Sequence, residues 1–288
     1  MYEYSVPQWL MIFYIYCFLG WVFESCVVSV QQKRPVNRGF LRGPMLPIYG
    51  FGAGIMLHVS LPLEGHPVRI FLAGMVAATA FEYVVGVAME AIFKVKYWDY
   101  SEHRFQFQGR ICLQSSLAWG ALSVLLVYAL HPPVEYLVKQ FTTLPLLFTT
   151  IVLSVYFVTD VVASVKTALD FAKLLEELDK KRADIAAMRD QFAAAAWQKK
   201  AEISAAAQEQ YDRLTDAAQD KRERLTATAE NARLQMYLAI QDAEDQLSDA
   251  IRNMKHTRKS LVRGNPTLRS AKFDATLREI KERLGRKK

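Results

Sequence analysis

The stretch NRGFLRGPMLPIYGFGAG, residues 37–54, decides how the first half of the chain folds. It begins as a basic loop and ends inside an apolar segment, and it holds five glycines and two prolines. These residues suit turns and close backbone approach but make poor interior helix. A broken backbone survives at membrane depth only where protein or a water-filled cavity covers its polar groups. The stretch therefore predicts either a substrate-facing entrance to a membrane segment or a tight turn into a closely packed helix.

Composition divides the chain into parts of unlike character. Residues 1–169 are apolar and carry few charges, which predicts a transmembrane helical domain. Residues 170–262 are polar and alanine-rich, which predicts a long cytoplasmic helix, and residues 263–288 form a basic C-terminal segment. The expected fold class is all-α: a polytopic membrane bundle of about five spans, followed by a coiled-coil-like helix.

Apolar runs of about 20 residues can cross a bilayer as helices. Five segments approach this length, and the second of them is interrupted by glycine and proline; they are residues 8–30, 46–63, 69–93, 111–130 and 144–169. Lysine and arginine concentrate in the loops after the first and third segments, which favours a cytoplasmic position for those loops. The pattern predicts a multi-pass protein of the bacterial plasma membrane with its N-terminus outside and its tail in the cytoplasm.

Four acidic residues fall within the predicted spans: Glu24, Glu82, Glu90 and Asp160. A charge at membrane depth costs at least a few kcal/mol, so each is a candidate functional residue by default. Function is favoured for Glu24 and Glu82, which lie deeper. For Glu90 and Asp160, near the cytoplasmic ends, we favour pairing with arginine or capping of a loop.

The candidate ligand-binding residues combine these deep acids with the basic loop and the aromatic cluster of the third loop. They are Glu24, Asn37, Arg38, Arg42, Tyr49, Glu82, Trp98, Asp99 and Arg110. Three scattered cysteines and five histidines form no disulfide, metal or nucleophile pattern. We therefore expect no enzymatic activity, no catalytic residue, no metal and no cofactor.

Four motifs carry a resemblance to a known family: GWVFE at 20–24, NRGFLRGPMLPIYGFGA at 37–53, WDYS at 98–101 and GRICLQSSLAWG at 109–120. Together they resemble the bacterial multi-pass membrane proteins grouped as ABC-transporter type IV permeases (CmpB-like). The resemblance covers about the first 130 residues and implies transport. The sequence holds no GxxxxGK[ST] phosphate loop, so a permease of this kind implies a separate ATPase chain.

The predicted cytoplasmic helix carries an apolar stripe. Two rows of apolar residues recur every 11 positions: Phe192, Ile203, Leu214, Leu225, Met236 and Leu247, with Ala196, Ala207, Ala218, Ala229, Ile240 and Ile251. An 11-residue period keeps such a stripe on one side of a nearly straight helix. It favours a homo-oligomer through residues 170–262 or another partner helix; the alternatives are a chain that folds back and a solvated single helix held by charge pairs.

The last residues are strongly basic, with 13 Lys/Arg against 3 Asp/Glu in residues 251–288. Such a segment suits an anionic leaflet or an acidic protein partner. Nucleic acid is disfavoured because no aromatic-basic interleaving or reading motif is present. A solvated basic tail is the plain alternative.

Two functions follow from the sequence. The first is a transport or small-ligand-binding membrane component. The second is a membrane-anchored oligomeric scaffold or sensor that acts through its coiled tail.

Overall fold

The structure is a computed structural model that describes residues 4–210 and 216–285; the side chains of residues 199–200 and 203–229 lie outside the description. The chain forms two compact units. Unit 1 comprises Met1–Ala172 and His256–Leu277, and unit 2 comprises Lys173–Lys255 and Arg278–Lys288. Each unit is therefore built from parts of the chain that are distant in sequence.

The elements are almost all helical, which confirms the all-α fold class. In chain order they are α1 (Val6–Gln32), α2 (Pro47–Ser60), a 3₁₀ turn (Leu61–Leu63), α3 (Pro67–Phe93), β1 (Gln106–Phe107), β2 (Ile111–Cys112), α4 (Leu113–Leu125), a π-helical turn (Leu126–Leu130), α5 (His131–Gln140), α6 (Thr143–Gln210), α7 (Asp216–Arg252), α8 (His256–Gly264) and α9 (Asp274–Gly285). The two strands form one short antiparallel hairpin.

Four helical stretches are long and apolar enough to cross a membrane: Val6–Gln32, Pro67–Phe93, Leu113–Gln140 and Thr143–Gln198. The second predicted span, residues 46–63, is a shorter apolar helix, Pro47–Leu63. At 1.5 Å per residue it measures about 25 Å, less than the roughly 30 Å of a hydrocarbon core. The count of five spans therefore stays a prediction.

Close packing against α1 explains the glycines at the start of α2. A Cβ atom on Gly50 would lie 2.4 Å from the sulfur of Cys17, and one on Gly20 would lie 2.3 Å from the ring of Tyr49. Pro47 occupies the first turn of α2, where a missing N–H costs nothing. Gly54, by contrast, has nothing within 4 Å of the same position. At Gly20 and Gly50 the glycines let two helices approach, as the packing interpretation predicts.

Two successive prolines shape the long helical stretch Leu113–Gln140. Pro132 and Pro133 follow the π-helical turn Leu126–Leu130 and open α5. A proline has no N–H to donate to the preceding turn and its ring crowds that turn, which is a recognised cause of local distortion. The helical stretch continues to Gln140, ten residues beyond the predicted end of the span.

Residues 256–277, here called the docking segment, belong to unit 1 although 83 residues of unit 2 precede them. The segment holds α8, a turn at Pro266–Thr267 and the start of α9. Leu268 and Phe273 are buried, as is the polar Asn265. The sequence predicts a long helix for the first of these residues and a basic tail for the rest, and it predicts no packed position for them.

Unit 2 contains the end of α6, α7 and the end of α9. Arg189 on α6 pairs with Glu244 on α7, and the Arg233 guanidinium lies 5.8 Å from the ring centroid of Phe192. Since a later residue of α6 faces an earlier residue of α7, the two helices run antiparallel. The chain folds back on itself here, which was one of the sequence alternatives.

The apolar stripe has partners within the same chain where its side chains are described. Ile240, Leu247 and Ile251 are buried, while Phe192 and Met236 are half-buried. Ala196 is exposed. The stripe positions Ile203, Ala207, Leu214, Ala218, Leu225 and Ala229 lie outside the described side chains. The homo-oligomer through residues 170–262 stays a prediction.

Candidate functional site

The first part of the candidate site joins α1, the loop after it and α2. The carboxylate of Glu24 accepts a hydrogen bond from the Tyr49 hydroxyl at 2.8 Å and lies 3.7 Å from Nε of Arg38. The Arg38 side chain is only 13 % exposed. Three of the predicted residues therefore form one partly buried, charge-paired group.

The second part surrounds Glu82 on α3, which is 4 % exposed. Its carboxylate accepts hydrogen bonds from the Tyr100 hydroxyl at 3.1 Å, the Trp119 indole N–H at 3.0 Å and the Ser115 hydroxyl at 3.4 Å. Within the described residues, no lysine or arginine nitrogen lies within 4.0 Å of it. Glu82 is thus an acid held by neutral donors inside an apolar helix bundle.

Aromatic rings connect the two parts. The Tyr49 and Trp119 ring centroids are 6.3 Å apart, and Trp119 donates to Glu82. Burial raises the pKa of the Tyr100 phenol, and the carboxylates of Glu82 and Glu24 raise it further. The six connected residues are called the intramembrane network: Glu24, Arg38, Tyr49, Glu82, Tyr100 and Trp119.

A separate pair stands beside this network at the end of α3. Arg110 and Glu90 form an ion pair at 2.7 Å, and the Trp98 indole donates to the Arg110 carbonyl at 2.9 Å. Arg110 also contacts the side-chain amide of Gln108. Arg110 and Trp98 therefore hold the third loop in place. Glu90 is paired with an arginine, which is the structural role that the sequence favours for it.

Asn37 and Arg42 hold the first loop in shape. The Asn37 side chain accepts from the Trp21 indole at 2.6 Å and donates to the Arg42 carbonyl at 2.7 Å. The Arg42 side chain donates to the hydroxyl of Thr167, and the carboxylate of Asp160 accepts from the Gly43 amide at 2.9 Å. Both predicted residues lie outside the intramembrane network, and Asp160 caps a loop.

Asp99 lies in the third loop with its side chain 8 % exposed. It accepts from the Ser101 hydroxyl at 2.5 Å and pairs with Arg269 of the docking segment at 3.1 Å. Burial alone would raise the pKa of Asp99, but the Ser101 hydrogen bonds and the charges of Lys96 and Arg269 outweigh it, and the pKa lies below its usual value. Asp99 is therefore a charged anchor for the docking segment.

The candidate residues predicted from the sequence include none of the three donors to Glu82 and no residue of the docking segment. Tyr100, Ser115 and Trp119 all fall within quoted motifs, but only the fold of the third loop brings them to one carboxylate. Asn265 and Thr267 carry no sequence signal, since they sit beside a glycine and a proline that read as a plain break. The signal that the sequence offers is Trp119, a residue with one N–H donor, inside the apolar segment that follows the third loop.

The arrangement can bind polar groups but holds no evident reactive set. Across the part of the chain that the structure describes, no group of three His, Cys, Asp or Glu side chains is placed to hold a metal ion. The intramembrane network contains two carboxylates: that of Glu24 is paired with Arg38, and that of Glu82 accepts hydrogen bonds only from neutral donors. Such a pair suits a proton, a cation or the amine of a small polar ligand.

Comparison with known proteins gives one family. A family model described as "Putative ABC-transporter type IV" matches residues 11–165, which include Glu24, Glu82 and the loops that follow α1 and α3. No curated protein and no solved structure matches the chain. The matched range ends before unit 2 and the docking segment.

Proposed function

Because the chain belongs to the ABC-transporter type IV family, we propose that it is the membrane component of a transport system, one that binds a small polar ligand at the intramembrane network. Its 288 residues hold no GxxxxGK[ST] loop, so ATP hydrolysis, where the system uses it, falls to a separate chain. On this proposal the protein is not itself an enzyme. Within residues 37–54, we assign only Arg38 and Tyr49 to the ligand site, because these two residues contact Glu24.

One observation carries the proposal: Glu82 is buried among apolar helices without a cationic partner in the described residues. An ionised carboxylate in such a place is costly, so it is neutralised by a proton or by a cationic group that binds there. A purely structural acid would be expected to pair with arginine, as Glu90 does on the same helix. The contrast between the two acids favours a binding role for Glu82.

The test uses Glu82→Gln, with Glu90→Gln as the matched control on α3. The full chain is purified in mild detergent and examined by native mass spectrometry for a retained small molecule. It is then tested by calorimetry against spermidine, choline and basic amino acids. We expect a bound species in the wild type and in Glu90→Gln, and binding at least ten-fold weaker in Glu82→Gln. Equal binding by wild type and Glu82→Gln would contradict the proposal.

A second function is favoured by the continuity of α6. This helix runs from Thr143 to Gln210 without a break, so the last membrane helix continues directly into unit 2. A membrane-anchored oligomeric scaffold or sensor would use such a connection. An oligomer that falls to monomer when the chain is truncated after Phe171 would support it. Since the truncation also removes the docking segment, full-length Arg269→Glu serves as the control for that loss.

A further inference from the structure

The docking segment is attached to the third loop through its backbone. Lys96 and Arg269 form an antiparallel bridge, with the Lys96 amide 2.7 Å from the Arg269 carbonyl and the Arg269 amide 3.0 Å from the Lys96 carbonyl. The Ser270 hydroxyl donates to the Lys94 carbonyl at 2.7 Å. Main-chain hydrogen bonds of one isolated bridge therefore supply part of the attachment.

Side chains fix the register of this attachment. Arg269 pairs with Asp99 at 3.1 Å and with Glu102 at 2.8 Å. The Thr267 hydroxyl donates to the Tyr97 carbonyl at 2.7 Å. A Cβ atom on Gly264 would lie 2.7 Å from the Asn37 carbonyl, so only glycine permits the observed approach to the first loop. The segment thus contacts both loops that flank the intramembrane network.

One guanidinium links the docking segment to the network. Arg38 donates through Nη1 to the Asn265 side-chain oxygen at 2.7 Å and through Nη2 to the Thr267 hydroxyl at 3.3 Å. Its remaining nitrogen, Nε, lies 3.7 Å from Glu24. Because a guanidinium is a rigid planar fork, its donors cannot be repositioned independently of one another. A change on either side therefore changes the position of the charge for the other side.

We propose that the docking segment is an intramolecular gate of the intramembrane network: docked, it closes the network on the side of the first and third loops, and its release opens that side. The inference rests on the proposed function, since a gate needs a site to close. The coupling through Arg38 is reciprocal, so a cationic ligand that displaces Arg38 from Glu24 also changes how Arg38 holds the docking segment, and release of the segment changes affinity for the ligand.

Cys112 provides a native reporter of access. It is 3 % exposed, and its sulfur accepts from the Ser115 amide at 3.4 Å. Ser115 in turn donates to Glu82. In a Cys17→Ala, Cys26→Ser background, Cys112 is the single thiol, and the rate of its reaction with a small charged methanethiosulfonate reports whether water and solutes reach the network.

Two full-length variants release the segment by different routes. Asn265→Ala with Thr267→Ala removes the side-chain acceptors of Arg38 and leaves only the Gly264 carbonyl of the segment at 3.5 Å, whereas Arg269→Glu places a third negative charge beside Asp99 and Glu102 and leaves Arg38 untouched. Thr267→Ser is the matched control because it keeps the hydroxyl. Hydrogen exchange of the peptides that contain Lys96 and Arg269 measures release separately from access, and circular dichroism confirms that the helices persist.

We expect faster exchange at both peptides and at least ten-fold faster labelling of Cys112 in both releasing variants, with wild-type behaviour in Thr267→Ser. Fast exchange with labelling at the wild-type rate would overturn the proposal. Persistent protection in both variants would overturn it as well, because the named contacts would then not hold the segment. No ligand enters this measurement, so a failed gate and a failed ligand site give separate results.

Discussion

At the scale of single residues, two acids eight positions apart on α3 have opposite surroundings. Glu82 is buried and accepts from three neutral donors, whereas Glu90 pairs with Arg110. The eight-residue spacing predicts that both acids lie on one side of the helix, but it does not predict which of them pairs with an arginine. That difference arises from the third loop, which places Arg110 beside Glu90 and the Tyr100 hydroxyl beside Glu82.

The different surroundings of Glu82 and Glu90 predict that replacing each by glutamine changes the free energy of unfolding differently. Glu90→Gln removes the partner of a largely buried guanidinium and should cost about 1–3 kcal/mol. Glu82→Gln keeps an acceptor for the Trp119 and Tyr100 donors and removes an ionisable group, so its stability should stay within about 1 kcal/mol of wild type or exceed it. Thermal unfolding of both variants in detergent measures the difference. A large loss in Glu82→Gln alone would contradict this assignment.

A pH effect follows from Asp99, whose pKa lies below its usual value because Ser101, Lys96 and Arg269 favour the charged form over the cost of burial. A lowered pKa in the folded state stabilises the protein above the unfolded-state value of about 4, and this contribution is lost as the pH falls through the folded-state value. The thermal midpoint of wild type should therefore exceed that of Asp99→Asn at pH 7.

The gap between those midpoints should persist down to about pH 4 and narrow only below it. Glu102→Gln is the control, since the Glu102 side chain is 80 % exposed and its pair with Arg269 should contribute little. A gap that closes between pH 7 and pH 5 would show that another group is responsible.

At the scale of elements, α1 and α2 are packed so closely that glycine is required at specific positions. Gly50→Ala places a methyl group 2.4 Å from the Cys17 sulfur and should cost about 1–3 kcal/mol through overpacking. Gly54→Ala, one turn along the same helix, meets nothing within 4 Å and should leave stability unchanged or raise it, since alanine is the better helix former. Thermal unfolding of the two variants compares them directly; equal losses would refute the packing argument.

The elements also show where sequence reasoning succeeds. The starts of α1 and α3 are predicted to within two residues because apolar length and the flanking loops define them. The helical stretch Leu113–Gln140 ends ten residues beyond the predicted span of residues 111–130, because apolar length defines the span, whereas the helix continues through Pro132 and Pro133 after a π-helical turn. The docking segment is missed because its contacts join residues up to 229 positions apart and follow no period.

At the scale of the whole molecule, the loops after α1 and α3 share one side of unit 1, because the docking segment contacts both. The charge pattern of the sequence predicts that this side faces the cytoplasm. The turn before α3, which contains Gly65 and His66, would then face outward.

Cysteine labelling in bacterial cells tests this orientation in a background that lacks the three native cysteines. His66→Cys should react with a membrane-impermeant maleimide in intact cells. Lys33→Cys, at the end of α1, should react only after the cells are permeabilised. Both positions are exposed, so burial does not bias the comparison. The reverse pattern would invert the predicted topology.

The position of the docking segment in the sequence has a consequence for biosynthesis. A ribosome completes the last membrane helix around Leu169 and must add about 100 further residues before Arg269 exists to meet Lys96. At about 5–20 residues per second, that interval lasts about 5–20 s. During that time each newly made copy holds a complete membrane region without its docked segment. A message cut short within unit 2 would make that condition permanent, so incomplete translation products of this protein are predicted to keep the network open on the side of the first and third loops.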